Sequence, residues 1–183
     1  MFTTIESYSN EFTILANEET IDVTTVSFEN VKEGSLLIIK DIDGITLYSE
    51  QIEKTGTYTK RFDLTNLPDA KYYFELDTQE EIAIFPFYIE ANIAEFVKEE
   101  AYTIVKPEVV AKDDFVYISN NSLEYQSLKI DVFYEGYDLA YSEKIKDVAS
   151  LNRIYDFSNS KKGNYDIVFS FQGRSFSNSI NIP

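Results

Sequence analysis

Asp41-x-Asp43-Gly44 is the stretch of this chain whose spacing comes nearest to a cation site. Closely spaced carboxylates and a turning glycine let several oxygens converge on one ion, and Glu50 lies six residues beyond Gly44, where a calcium loop places its last carboxylate. Between them Thr46 supplies too few oxygens, and the matching later stretch offers only Asp131, Glu135 and Gly136. An Asp-Gly between two apolar runs is already complete as hairpin chemistry, because a type I′ turn wants positive φ at both central residues. The expectation is a turn and no metal. Clustered acids at Glu18-Glu19, Glu80-Glu81, Glu99-Glu100 and Asp113-Asp114 raise the possibility of glycoside hydrolysis. That chemistry needs two carboxyls facing each other across a cleft, whereas neighbours on a strand point to opposite faces. The chain has no histidine and no cysteine, which excludes serine triads, thiol nucleophiles, thiolate metal sites and most zinc chemistry. The sequence therefore assigns no catalytic residue, no cofactor-binding residue and no metal ligand, and the chain is expected not to be an enzyme.

Aromatic side chains are the other resource, with 14 Phe and 14 Tyr. If Tyr72, Phe74 and Leu76 face a core, Tyr73 faces out, and the same register turns Phe133 and Val168 outward later in the chain. Exposed aromatics such as Tyr73 and Tyr88 can stack on sugar rings or anchor a protein partner, or they can be buried between two domains. Asn120-Asn121-Ser122 satisfies the glycosylation pattern and is equally well explained as a turn.

The elements that would position these residues come twice. Val26-x-Phe28, Leu36-x-Ile38, Tyr48-Ser49-Glu50, Phe62-Asp63-Leu64 and Tyr72-x-Phe74-x-Leu76 are answered by Val116-x-Ile118, Leu128-x-Ile130, Tyr141-Ser142-Glu143, Tyr155-Asp156-Phe157 and Tyr165-x-Ile167-x-Phe169. The opening strands match in the same way, Phe12-Thr13-Ile14-Leu15 with Tyr102-Thr103-Ile104-Val105, and Lys60 matches Arg153. The offset between copies grows from 90 to 92 after Asn30 and to 93 after Leu47. Each copy holds about seven short alternating segments joined by hairpin-length turns, without helical periodicity. This pattern predicts an all-β chain, a tandem repeat of two immunoglobulin/fibronectin III-like β-sandwiches. The expected domains are residues 8–91 and 101–183, with a short linker at 92–100 in which Ile93, Phe96 and Val97 would share one side of one or two helical turns. The apolar run Ile82 to Glu90, which contains Pro86, is expected to be covered on both faces and to sit at an edge or bulge, since proline cannot donate to a ladder.

The formal charge of −16 argues against nucleic acid, which needs a basic stripe. Residues 1–92 carry 18 of the 32 acidic side chains and 6 of the 16 basic ones, so the first copy holds most of the excess. No apolar run is long enough to span a membrane, and the first residues lack the basic start and apolar core of a signal peptide.

The stretch Ile38-Ile39-Lys40-Asp41-Ile42-Asp43-Gly44, followed by Phe62-Asp63-Leu64, Leu67-Pro68-Asp69-Ala70-Lys71-Tyr72 and Phe74-Glu75-Leu76, resembles the β-sandwich domains related to the C-terminal sorting tails of proteins exported by the bacterial type IX route. The similarity covers residues 35–89 and, more faintly, 127–182. Ala70 stands where that pattern has glycine, Gly163 restores it in the second copy, and the basic ending of the tails is missing. The resemblance implies a secreted, periplasmic or cell-surface protein, with any signal peptide outside this sequence. The expected function is a non-catalytic adhesive, scaffolding or spacer role through a protein partner, with glycan binding by exposed tyrosines as the alternative.

Overall fold

The computed structural model describes residues 2–6, 13–20, 23–123 and 126–183; the expected domain start at residue 8 and Phe12 lie outside the described residues. The chain divides into two compact units, Met1–Ile104 and Val105–Pro183.

In the second unit the strands are β11 (Glu108–Lys112), β12 (Phe115–Asn120), β13 (Gln126–Tyr134), β14 (Asp138–Val148), β15 (Leu151–Asp156), β16 (Gly163–Phe171) and β17 (Arg174–Ile182). They form a three-stranded sheet, β11-β12-β15, and a four-stranded sheet, β14-β13-β16-β17. The first unit has β1 (Phe2–Glu6), β2 (Thr13–Thr20), β3 (Val23–Val31), β4 (Leu36–Asp41), β5 (Thr46–Gln51), β6 (Gly56–Phe62), β7 (Ala70–Asp77), β8 (Glu81–Glu90), β9 (Ile93–Phe96) and β10 (Tyr102–Val105). Within it β2-β3-β6 and β5-β4-β7-β8 repeat the same order, with β1 added to β2 and both β9 and β10 added to β8. Three strands against four in this order, all antiparallel where paired, make each unit a β-sandwich of the immunoglobulin/fibronectin III kind. Among the described residues no helix is long and apolar enough to cross a membrane.

Both sheets feed the core. In the first unit Val26 and Phe28 of β3 meet Leu37, Ile39, Phe74, Phe85 and Phe87 from the opposite sheet, and the Phe28–Phe85 and Phe62–Phe74 rings meet edge-on at 5.8 and 5.3 Å. Each such buried side chain contributes about 1.5–3 kcal/mol over its exposed state. In the second unit Ile118, Ile130, Ile167 and Phe169 are buried to the same degree. Both units also fasten the start of the strand after the sheet crossover with a tyrosine: the Tyr72 hydroxyl donates to the Pro68 carbonyl and the Tyr165 hydroxyl to that of Lys161, each at 2.8 Å. A tyrosine bonding back to the main chain a few residues upstream is the corner found in immunoglobulin-like sandwiches.

Three expectations change. The matched segments Leu36-x-Ile38 and Leu128-x-Ile130 are one residue out of register. Leu37 pairs with Leu76 and Ile39 with Phe74, as Ile130 pairs with Phe169 and Val132 with Ile167, so the offset here is already 93. Leu36-Leu37-Ile38-Ile39 is apolar throughout and carries no alternation of its own; the partner strand sets which residues face in. Residues 93–96 are extended, with Ala94 and Phe96 packed on the core and Ile93 exposed, and only Lys98–Glu100 forms a single 3-10 turn. Finally, β8 is buried on both faces from Ile82 to Phe87 as expected, yet it is an interior strand. Pro86 pairs with Tyr73 of β7 and stands one residue before the first β9 pair, Phe87 with Phe96.

Candidate functional site

The Asp41–Ile45 turn leaves little for a cation. Asp41 Oδ1 accepts the main-chain N–H groups of Asp43 (3.0 Å) and Ile45 (2.8 Å), and Gly44 N–H donates to the Asp41 carbonyl. Gly44 alone takes positive φ here (81°), so this turn is not of type I′, whereas Glu135 and Gly136 (50° and 80°) both do and form one. Among the described residues no group of three or more carboxylates is placed to hold a metal. Asn120 is also occupied: it is buried, its Nδ2 donates to the Val105 carbonyl at 2.8 Å, and its Oδ1 accepts the Ser122 N–H.

Tyr73 and Tyr88 lie half-buried on the outer face of the first unit's larger sheet, where Lys71 pairs with Tyr88 and Tyr73 with Pro86. The Lys71 ammonium sits 5.7 Å from the Tyr73 ring centre and 5.2 Å from that of Tyr88. It bonds Glu100 at 2.5 Å, and the same carboxylate accepts the Tyr88 hydroxyl at 3.1 Å. Hydrogen bonds from Lys71 and then Tyr88 hold the Glu100 carboxyl below the usual carboxylate range. The rings are thus engaged by the protein's own cation and are not a free stacking platform. Phe133 and Val168 are half-buried in the second unit, paired with Asp166 and Asp131.

A constellation that sequence reasoning did not single out lies on the open side of each sandwich, between the edge strand of one sheet and the edge strand of the other. In both units a β-bulge falls one residue before a tyrosine, at Leu47 before Tyr48 and at Ala140 before Tyr141. A bulge re-aims the side chains beside it. In the first unit Tyr48 turns inward and meets Phe62 edge-on at 5.2 Å. Glu50 accepts bonds from the Tyr48 hydroxyl and the Lys60 ammonium, and Lys60 also lies 4.9 Å from the Tyr48 ring centre. The bond from Lys60, followed by that from Tyr48, lowers the Glu50 carboxyl, and the reciprocal contact raises Lys60. Tyr58 stands beside them with its hydroxyl buried and unbonded; burial first, then the Glu50 charge, pushes it well above the ordinary phenol range. The Lys60 head is therefore held in an ion pair with Glu50.

In the second unit the matching residues are Tyr141, Glu143, Arg153 and Tyr155. Tyr141 and Tyr155 meet edge-on at 5.5 Å, the Tyr155 hydroxyl donates to Glu143, and Arg153 Nε stands 3.7 Å from the same carboxylate. Burial, then the bond to Glu143, raises the Tyr155 phenol. Here the edge is open: a cavity of about 400 Å³ lies between β14 and β15, floored by Val132, Phe157 and Tyr165 and walled by Tyr141 and Tyr155. Asp156 and Ser160 add polar oxygens to the lining. The difference from the first unit is one of side-chain volume. Leu67, at the place of Ser160, packs against the first core, Leu47 stands at the place of Ala140, and Ile39 at that of Val132.

The outer face of the second unit's three-stranded sheet carries a further feature. Val110 pairs with Tyr117 and Tyr117 with Ile154, so the three form one cross-strand row, and they are 48, 42 and 63 % exposed. Phe115, two residues from Tyr117 on the same face, is 41 % exposed.

No family model matches the chain, and no curated protein matches it. Solved structures give faint similarity. A biofilm-associated protein BSP domain is 13 % identical with a TM-score of 0.31, over 99 % of this chain and 29 % of that one. The receptor tyrosine kinase Torso is 11 % identical with a TM-score of 0.26, over 98 % and 76 %, and the FN1–FN3 domains of chicken CNTN1 are 10 % identical with a TM-score of 0.31, over 88 % and 60 %. The chain thus spans under a third of the first of these. The fold assignment rests on the strand order described above.

Proposed function

We propose that this chain is a non-catalytic β-sandwich protein that works through protein contacts, as an adhesive, scaffolding or spacer module of a secreted or cell-surface protein. The observation that carries this reading is the row Val110–Tyr117–Ile154 with Phe115 beside it. A flat, aromatic and β-branched face left in water is what a protein partner covers, and large aromatics at the centre of such a patch provide most of the binding energy. The chemistry of the rest agrees: there is no histidine or cysteine, and on the open edges the Tyr48 hydroxyl is spent on Glu50 and the Tyr155 hydroxyl on Glu143. The resemblance of residues 35–89 to sorting-tail sandwiches favours an extracytoplasmic setting.

The test is a bead-adhesion assay. Beads coated with the chain are mixed with beads coated with the same chain or with surface-protein extract, and Tyr117→Ser/Ile154→Ser is compared with the unaltered protein. The expected result is adhesion that falls at least tenfold in the double variant at an unchanged melting temperature. Equal adhesion by both proteins, or none by either, would overturn the reading.

A further inference from the structure

The open edge of the second unit differs from its counterpart by deletions of volume within an otherwise matching frame. Strand order, bulge, tyrosine, glutamate and cationic residue coincide, while Ile39, Leu47 and Leu67 are replaced by Val132, Ala140 and Ser160. Because interiors pack to crystal-like density, a void with such walls does not arise from loose folding. In the first unit Leu67 packs on the core at the place of Ser160, while Leu47 is 46 % exposed and adds nothing to the filling. At about 400 Å³ the cavity falls in the lower part of the range of small-ligand sites.

Its lining decides what fits. Tyr141 is 47 % exposed although it packs on Tyr155, so aromatic surface faces the opening. Asp156 Oδ1 already accepts the Ser158 N–H at 2.8 Å; the remaining oxygens of Asp156 and Ser160 would lose water to a wholly apolar guest without gaining a partner. An anionic guest would meet Asp156, with Glu143 on the adjoining stretch of β14, on a chain of net charge −16. A sugar ring has an apolar C–H face for the tyrosine and a hydroxyl rim for the carboxylate and serine. We propose that this cavity is a saccharide site that takes one neutral pyranose ring, stacked on Tyr141 and hydrogen-bonded by Asp156 and Ser160. Ile154 is shared between this site and the exposed row, since it also lines the cavity, whereas Val110, Phe115 and Tyr117 are not part of the lining.

The experiment is methyl-resolved NMR of the full chain titrated with methyl glycosides of glucose, galactose, mannose and N-acetylglucosamine. Methyl glucuronide serves as anionic control and indole as apolar control. At least one neutral glycoside should shift the Val132 and Ala140 methyl signals saturably, with millimolar affinity or tighter, and the glucuronide should bind at least tenfold more weakly. Ser160→Leu restores the side chain that fills the first unit; it should abolish binding while the melting temperature stays equal or rises. Tyr141→Ala should weaken binding at least tenfold and serves if the leucine variant misfolds. The proposal is overturned if no neutral glycoside moves those methyls at tens of millimolar, if indole binds and sugars do not, or if binding survives Ser160→Leu.

Discussion

Removing one hydroxyl should stabilise the first unit at Tyr58 and destabilise it at Tyr72. Both residues lie in the same sandwich, and Tyr→Phe deletes the same atom in each. At Tyr58 the oxygen is buried and meets no partner in hydrogen-bonding geometry. Glu50, already bonded by Tyr48 and Lys60, is near enough to raise the phenol without satisfying it, so the folded state carries a desolvated dipole that the unfolded chain returns to water. Such an orphan costs about 1–3 kcal/mol, and phenylalanine keeps the ring while removing the dipole. The expected gain is about 1 kcal/mol, the lower end, because the residue is only half-buried. At Tyr72 the ring is 4 % exposed and stacks on Phe87 at 5.5 Å, which phenylalanine preserves, but the 2.8 Å bond to the Pro68 carbonyl is lost. A net hydrogen bond of about 0.5–1.5 kcal/mol disappears and a carbonyl is left short of a donor, for an expected loss of about 1–2 kcal/mol.

Two variants that differ from the parent by one oxygen should therefore separate by about 2–3 kcal/mol. In a unit of this size each kcal/mol moves the melting temperature by about 4–8 °C. The assay is urea unfolding followed by amide exchange at core positions of the first unit, such as Val26 and Phe74, which reports that unit even if the two units unfold in separate transitions. The midpoint should rise for Tyr58→Phe and fall for Tyr72→Phe with an unchanged urea dependence. A fall for Tyr58→Phe would mean that its hydroxyl bonds Glu50 after all, and two changes of the same sign would refute the assignment of the Tyr72 corner as a stabilising bond.

Gly163 has φ of 141°, and a Cβ there would lie 2.5 Å from Glu135 Oε1 and 3.0 Å from Tyr134 Cε2, so Gly163→Ala should cost the second unit about 1–3 kcal/mol in a thermal melt. Glu50 is held below its ordinary carboxyl value of 4.5 by Lys60 and then Tyr48. Because the folded value is the lower one, its contribution is full above that ordinary value and drains away as pH falls through the folded value. An acid titration of first-unit stability should therefore steepen below about pH 4.5 in the parent and flatten in Glu50→Gln, with the difference small because the pair is a third exposed.

What the sequence made legible was the part fixed by repeated local chemistry. Alternation in Tyr72-x-Phe74-x-Leu76 and Tyr165-x-Ile167-x-Phe169 identifies the strands that enter each core, and their burial follows. The register of β4 was not legible, because Leu36 to Ile39 offer apolar side chains to both faces and Leu76 and Phe74 choose between them across the ladder. Pro86 misled because a missing donor argues for an edge only where a ladder needs that N–H, and here two short strands, β9 and β10, share the far side of β8, with the β9 pairs beginning one residue after the proline. The aromatic pair Tyr73 and Tyr88 was correctly placed on an outer face, but nothing near it in sequence announces that Lys71 and Glu100 would close on it.

The open edge was written in the repeat all along, though in its mismatches. Tyr48-Ser49-Glu50 and Tyr141-Ser142-Glu143 are identical, and Lys60 answers Arg153, which reads as a shared frame. The cavity of the second unit is then to be sought at positions where the copies disagree in size. Leu67 against Ser160 is such a position: Leu67 packs on the first core, and Ser160 lines the cavity of the second unit. If volume is the cause, filling that position in the second unit must close the cavity without unsettling the frame. Loss of stability on Ser160→Leu would instead mean that the polar lining of that edge, and not its emptiness, is what the fold requires.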